Sequence, residues 1–346
     1  MLTIRKLGPG AGAAVEDCAQ AAPPAAAQIT IAVRAAGICG SDVHAWAWDA
    51  GYDFMTPHLP LTLGHEFAGH VVALGEGVDH LALGDAVVCW PTITCGTCAS
   101  CRAGSPGDCA QRRVIGLHRD GGFASHVTLP AANALPLPAG LPMDVAALAE
   151  PLAVAVHAVD LAEPGFGTKI MVMGPGMIGL CAALVAQDRG ADVLLAGHGD
   201  QPRLDLARRM GIRRTLDLAT DGAAATLDGF APLDAVIEAT GNPATIDQGL
   251  SLLRQGGIMV VAGIHGGPVT FDINRLVRGK KQLRGSHDTT PRAFREAIGR
   301  LAADPDRFAP LITHRLPLSR AEEGFALARQ RSALKVLLIP EESPDA

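Results

Sequence analysis

Residues 169–189 read KIMVMGPGMIGLCAALVAQDR, and three kinds of local structure follow one another in that line. Lys169–Met173 is a short apolar run of strand length, and Leu180–Arg189 spaces its apolar residues as a helix does. Between them Gly174, Gly176 and Gly179, with Ile178 beside the last, spell GPGMIG. The glycines allow a tight turn and let a pyrophosphate approach a helix N-terminus, and a strand before and a helix after make the motif specific. Downstream the alternation goes on, with a strand at 192–196, a helix at 203–210, and apolar strands at 235–239 and 258–262. Strands alternating with crossover helices predict an α/β unit, a Rossmann-type doubly wound parallel sheet.

Upstream the texture differs. Residues 28–36 (QITIAVRAA) alternate, with Ile29, Ile31 and Val33 on one face. Segments 66–75 and 78–89 are rich in Val and Leu and broken by Gly. Short strands punctuated this densely predict a small β-barrel or folded sheet. A Pro- and Ala-dominated stretch at 130–142 marks a boundary, a second lies at 19–27, and 144–162 reads as helix interrupted at Pro151. From 291 a helix leads to ITHRLPL and KVLLIP. A chain of 346 residues is long enough for two domains, each with its own core.

The chemistry-bearing residues fall in two clusters. GICGSDVH at 37–44 and GHEFAG at 64–69 offer a thiol (Cys39), an imidazole (His65) and a carboxylate (Glu66), with Ser41 and His44 following Cys39 at +2 and +5. Three N/S/O ligands with one position left open is the pattern of a catalytic zinc. Cys95, Cys98, Cys101 and Cys109 form C-x2-C-x2-C-x7-C, a spacing suited to a closed structural zinc. An iron–sulfur reading would want C-x3-C-P and a second cysteine set. A nucleic-acid ribbon would want more basic residues than Arg102, Arg112 and Arg113. The net charge of −6 argues against nucleic acid as a partner. No run of some 18 apolar residues and no N-terminal h-region are present, so a soluble cytoplasmic protein with no membrane partner is expected.

These segments, in this order and over nearly the whole chain, resemble the zinc-dependent medium-chain alcohol and polyol dehydrogenases, in particular the threonine, sorbitol and glucose dehydrogenase branches. The resemblance implies a chaperonin-10-like β-barrel catalytic domain over residues 1–155, completed by 291–346, and a Rossmann domain over 156–290. It implies one catalytic zinc at Cys39 and His65, with Glu66 bound directly or through water and Glu150 approaching the same metal, and one structural zinc at the four cysteines. Asp42 would orient a ligating imidazole, and Ser41 would pass a proton from the substrate hydroxyl toward His44. Thr240-Gly241, Ala262-Gly263-Ile264 and Ser286-His287 would line the nicotinamide half of the cofactor. His198 stands where NAD-binding relatives carry an acid. With Arg203 near and Asp200 in the same loop, the choice between NAD and NADP stays open, with a lean toward NADP or dual use. Trp46, Trp48, Tyr52, Phe54 and Met55 would form part of the substrate pocket.

The expected activity is hydride transfer between a secondary alcohol, such as a polyol or sugar, and NAD or NADP, the partner being a small alcohol or carbonyl compound. Threonine oxidation, aldehyde reduction, or a non-catalytic zinc-stabilised dinucleotide-binding protein are the alternatives. Relatives of this size imply a homo-oligomer, tetramer or dimer.

Overall fold

A computed structural model describes residues 1–18, 22–49 and 51–341, so part of the Ala/Pro-rich stretch at 19–27 lies outside the described residues. The chain divides into two compact units, Met1–Pro151 with Thr290–Ala346, and Leu152–Thr289.

In the first unit, strand Gln28–Gly37 is the centre of a seven-stranded sheet. It pairs antiparallel with Glu66–Leu74 along its length, with His126–Pro130 over its first half, and with Lys335–Ile339 at its end. Ile29, Ile31 and Val33 are buried as their spacing predicts. The pairing with Glu66–Leu74 slips at Thr30/Ile31 and again at Val33/Ala35, so Ala35 and Ala36 are both buried. Such irregularities bend a strand and sharpen its twist, and a strand with three partners is the centre of the chaperonin-10-like barrel. The sheet continues through Ala86–Cys89 to Ala134–Pro136 on one side and through Lys335–Ile339 to Ile312–Pro317 on the other. These last two strands are parallel, and helix Ala321–Arg329 lies between them in the chain. Met55, Phe67, Phe123 and Phe325 fill the core.

The second unit is a six-stranded, all-parallel sheet. Its spatial order is Arg214–Asp217, Asp192–Gly197, Lys169–Met173, Leu233–Glu238, Leu253–Val261, Gln282–Gly285. In chain order that is 3-2-1-4-5-6, the doubly wound order whose reversal lies between strands one and four. The four apolar strands sit within a residue or two of where the sequence places them, except that Leu253–Val261 begins earlier. The two edge strands, RTLD and QLRG, carry no apolar run and are not visible in the pattern, because an edge is half solvated and tolerates charge.

The helix expected at 144–162 is two helices, Met143–Ala146 and Ala149–Leu161. The break falls at 147–148 and not at Pro151, which occupies the first turn of the second helix, where its missing N–H has no intrahelical partner to lose. Among the described residues no helix is long and apolar enough to cross a membrane.

Candidate functional site

Cys39 stands between the end of strand Gln28–Gly37 and helix Gly40–Ala47, as the N-cap of that helix in extended conformation. Its backbone N–H donates to Asp42 Oδ2 at 2.9 Å, so the first turn is tied down from below. Asp42 is fully buried, and its other oxygen lies 3.4 Å from Nδ1 of His65. His65 comes in on the edge of strand Glu66–Leu74, and its Nε2 is 3.2 Å from the Ser41 hydroxyl. Burial works against an imidazolium here, but the Asp42 carboxylate and the Cys39 sulfur outweigh it and hold the His65 pKa well above the ordinary 6.5. The pocket therefore draws positive charge onto that nitrogen set, which a cation can supply in place of the proton.

Glu66, the next residue, is fully buried. Lys335 Nζ reaches across from the last strand and donates to both its oxygens, at 2.8 and 2.5 Å, and to the Ile38 carbonyl at 3.0 Å. A Cβ on Gly37 would collide with that carboxylate, so glycine is required where the strand passes it. One donor atom from each of Cys39, His65 and Glu66 lies within 4.8 Å of the others, a donor set and spacing that fit zinc. Glu150, second residue of helix Ala149–Leu161, is outside that set. It is buried, and its charge acts on Lys335 and on the Cys89 thiol, whose pKa burial pushes up.

Cys95, Cys98, Cys101 and Cys109 bring their sulfurs within 4.8 Å of one another, and none is in a disulfide. Backbone N–H groups point inward: Cys95 and Gln111 donate to the Cys109 sulfur at 3.3 and 3.4 Å, and Cys98 to the Cys95 sulfur at 3.3 Å. The amides of Thr97 and Cys98 pull the Cys95 thiol down to about 6, and those of Cys101 and Ala110 lower Cys98. Desolvation raises Cys101 to about 11. Four sulfurs held around one point by a loop whose amides favour thiolates fit a tetrahedral S4 zinc.

In the second unit, Gly174 leaves strand Lys169–Met173 at φ +101°, Gly176 caps helix Met177–Asp188, and a Cβ on Gly179 would collide with the Gly174 carbonyl oxygen. That is the close strand-to-helix contact a dinucleotide turn requires.

An alcohol dehydrogenase GroES-like domain matches residues 25–139, and a zinc-binding dehydrogenase domain matches 178–303. The chain is 36% identical over 318 residues to an L-threonine 3-dehydrogenase of Bacillus licheniformis, covering 90% of this chain and 91% of that protein. The chain belongs to the zinc-dependent medium-chain alcohol and polyol dehydrogenases. It is also 34% identical to an L-galactonate-5-dehydrogenase of Escherichia coli, over 85% of this chain and 86% of that one. A zinc-binding dehydrogenase of Sinorhizobium meliloti, crystallised with NADP, superposes with a TM-score of 0.87 at 30% identity, covering 98% and 99% of the two chains.

Within this dehydrogenase the remaining expected residues are distributed as follows. His44 sits one turn beyond Ser41, half exposed, with Nδ1 2.5 Å from Asp49; no direct hydrogen bond joins it to Ser41 among the described residues. Of the aromatic loop, Met55 is core, Trp46 stacks on Phe325 at 5.7 Å and donates to Glu322, and Lys6 lies over Trp48 at 5.1 Å. These three all pack in or against the core of the first unit. Phe54 is exposed and stacks on His118 at 5.2 Å. Tyr52 is the member that stays at the site: it is buried, stacks on His44 at 5.7 Å, and burial raises its hydroxyl pKa in the field of Cys39.

In the second unit Thr240, Gly241, Ala262 and Gly263 are gathered at the C-terminal ends of strands four and five, and Ile264 is exposed there. Ser286 is buried just past strand six, its N–H bonded to the Val261 carbonyl at 2.8 Å and its hydroxyl without a partner among the described residues, and His287 beside it is exposed. His198 is exposed. Arg203 pairs with Asp200 at 3.2 Å.

Sequence reading missed two residues. Lys335 lies 269 positions from Glu66, and nothing in KVLLIP announces it. Asp217, at the end of an edge strand, accepts the N–H of Gly199 at 2.8 Å. The amides of Ala219 and Gly199 lower its pKa, with His198 adding to the effect, so an acid does stand beside His198, supplied by the neighbouring strand.

Proposed function

We propose that this dehydrogenase moves hydride between a polyol, sugar or similar secondary alcohol and NAD or NADP, with one zinc held by Cys39, His65 and Glu66 and a second by the four-cysteine lobe. The observation that supports it best is the convergence of Cys39, His65 and Glu66 donor atoms beside the Ser41 hydroxyl. A zinc bound there supplies Lewis-acid polarisation of the substrate oxygen. Asp42 holds the His65 ring by its Nδ1 side and leaves Nε2 for ligation. Lys335 balances the charge of Glu66, so that carboxylate adds little net negative charge to the site. In this reading Ser41 takes the proton of the substrate hydroxyl and His44 passes it toward solvent, an imidazole being suited to that exchange near neutral pH. Eight free cysteines favour a reducing, cytoplasmic setting. A homo-oligomer is supported by apolar side chains left in water at Ile273, Val277 and Leu283.

A panel of polyols, sugars, aldonates, simple secondary alcohols and L-threonine, each with NAD and with NADP, tests the substrate class. Polyol- or sugar-dependent reduction of the cofactor is expected; oxidation of L-threonine alone, or cofactor binding without any oxidation, would overturn it. Two further outcomes are expected. Cys101→Ser should lower bound zinc by about one ion per chain while leaving the Cys39 site loaded, read by elemental analysis. Gly179→Val should abolish dinucleotide binding and leave zinc content unchanged, read by calorimetry and the same metal assay.

A further inference from the structure

The loops that follow strands four and five of the parallel sheet meet on one carboxylate. Glu238 ends strand Leu233–Glu238 fully buried. Its Oε1 accepts the backbone N–H of Thr240 at 2.6 Å and of Gly241 at 3.0 Å, together with the hydroxyls of Thr240 and Thr245. Its Oε2 lies 3.3 Å from Nε2 of His265, which stands in the loop beyond Leu253–Val261. Its own carbonyl accepts the N–H of Ala262 at 2.8 Å and of Gly263 at 3.1 Å. The loops pass so closely that a Cβ on Gly263 would collide with Gly241 N and with the Glu238 carboxylate. Thr240 in turn abuts the turn after strand one: a Cβ on Gly174 would lie 2.8 Å from its Cγ2.

A carboxylate partner makes His265 Nε2 the N–H donor. Its Nδ1 is buried with no hydrogen-bond partner among the described residues, so the imidazole is held there at a cost in stability. In a doubly wound sheet the half built on strands one to three takes the adenosine side of the dinucleotide, and the half built on strands four to six takes the other nucleoside. Glu238 and His265 belong to the second half.

We propose that Glu238 and His265 are positioning residues of the dinucleotide site. The carboxylate fixes the Thr240-Gly241 turn, His265 fixes the following loop against it, and together they hold one shape that receives the nicotinamide ribonucleoside. This rests on the dinucleotide reading above. Neither residue needs to touch the cofactor; each acts through the backbone it orders.

Calorimetry on the zinc-loaded full chain with ADP and with whichever reduced dinucleotide the wild type binds tests this. Glu238→Gln and His265→Leu are each expected to weaken dinucleotide binding by about tenfold or more, with ADP affinity held within about twofold. His265→Gln, whose amide can still donate to the carboxylate, is expected to recover most of the loss. If ADP weakens by the same factor as the dinucleotide, the pair is merely structural and the proposal is wrong. Unchanged dinucleotide affinity also overturns it. Should Glu238→Gln fail to fold, His265→Leu decides alone, since it breaks only the Oε2 contact. A wild type that binds neither ADP nor dinucleotide removes the dinucleotide reading itself, an outcome distinct from the other two.

Discussion

Cys39→Ser is expected to lower alcohol turnover by well over a hundredfold while dinucleotide affinity stays near the wild-type value. Loss of a group that only orients a metal ligand already costs about 10–100-fold in affinity or activity, and in the proposed site Cys39 supplies a ligand directly. The hydroxyl of serine is a poor replacement for a thiolate because its proton is held far more tightly. The substitution is nearly isosteric, and the helix cap it sits in depends on the Cys39 backbone N–H bonding Asp42, which serine keeps. Fold and cofactor binding should therefore survive. Steady-state kinetics, zinc content and calorimetry on one preparation separate the effects. Turnover within tenfold of wild type, with zinc retained, would remove Cys39 from the metal site.

The second large effect lies far away in sequence. In the zinc-free protein Lys335→Met is expected to destabilise the first unit by about 3–5 kcal/mol, because it leaves the Glu66 carboxylate buried without a counter-charge. Lys335 and Glu66 are 3% and 0% exposed, so solvent cannot take over the role. Adding Glu66→Gln to Lys335→Met should recover much of the loss, since the orphaned charge is then gone. Burial lowers the Lys335 pKa, but Glu66 and Cys39 outweigh it and leave it raised above 10.5. A cation with a raised folded pKa contributes stability that is fully present below the unfolded value and is lost as pH climbs through the folded one. The contribution of Lys335 in the wild type should thus be constant from about pH 6 to 9 and fall only beyond about 10.5. Urea unfolding of the three proteins at several pH values measures it. A single-variant loss below about 1 kcal/mol would mean that the pair does not hold this part of the barrel together.

The contrast between these two residues shows what a sequence displays and what it hides. Cys39, His65 and Glu66 stand in short segments, GICGS and GHE, whose glycines and ligand types are visible side by side. Lys335 is placed by strand pairing alone: Leu337 opposite Gly37 and Leu338 opposite Ala36 set the register that delivers its ammonium to Glu66. A lysine opening an apolar strand looks solvent-exposed until that register is known. The same holds for the sheet of the second unit, where the strands buried on both faces, KIMVM and LDAVIE, announce themselves as apolar runs. RTLD and QLRG do not, because an edge strand owes its place to its neighbour's hydrogen bonds and not to its own hydropathy. Asp217 was hidden with the first of them. The aromatic rings between the two halves of the metal motif have partners that no sequence pattern shows: Trp46 packs on Phe325, and Trp48 lies under Lys6.

Direct hydride transfer from carbon to the nicotinamide is the step on which everything else depends. The polyol or sugar that the zinc-replete protein oxidises fastest, labelled with deuterium at the carbinol carbon, should deliver that deuterium to C4 of the reduced nicotinamide, one label per cofactor reduced. Reduced cofactor without the label, or no reduction with any secondary alcohol at full zinc occupancy, would contradict it.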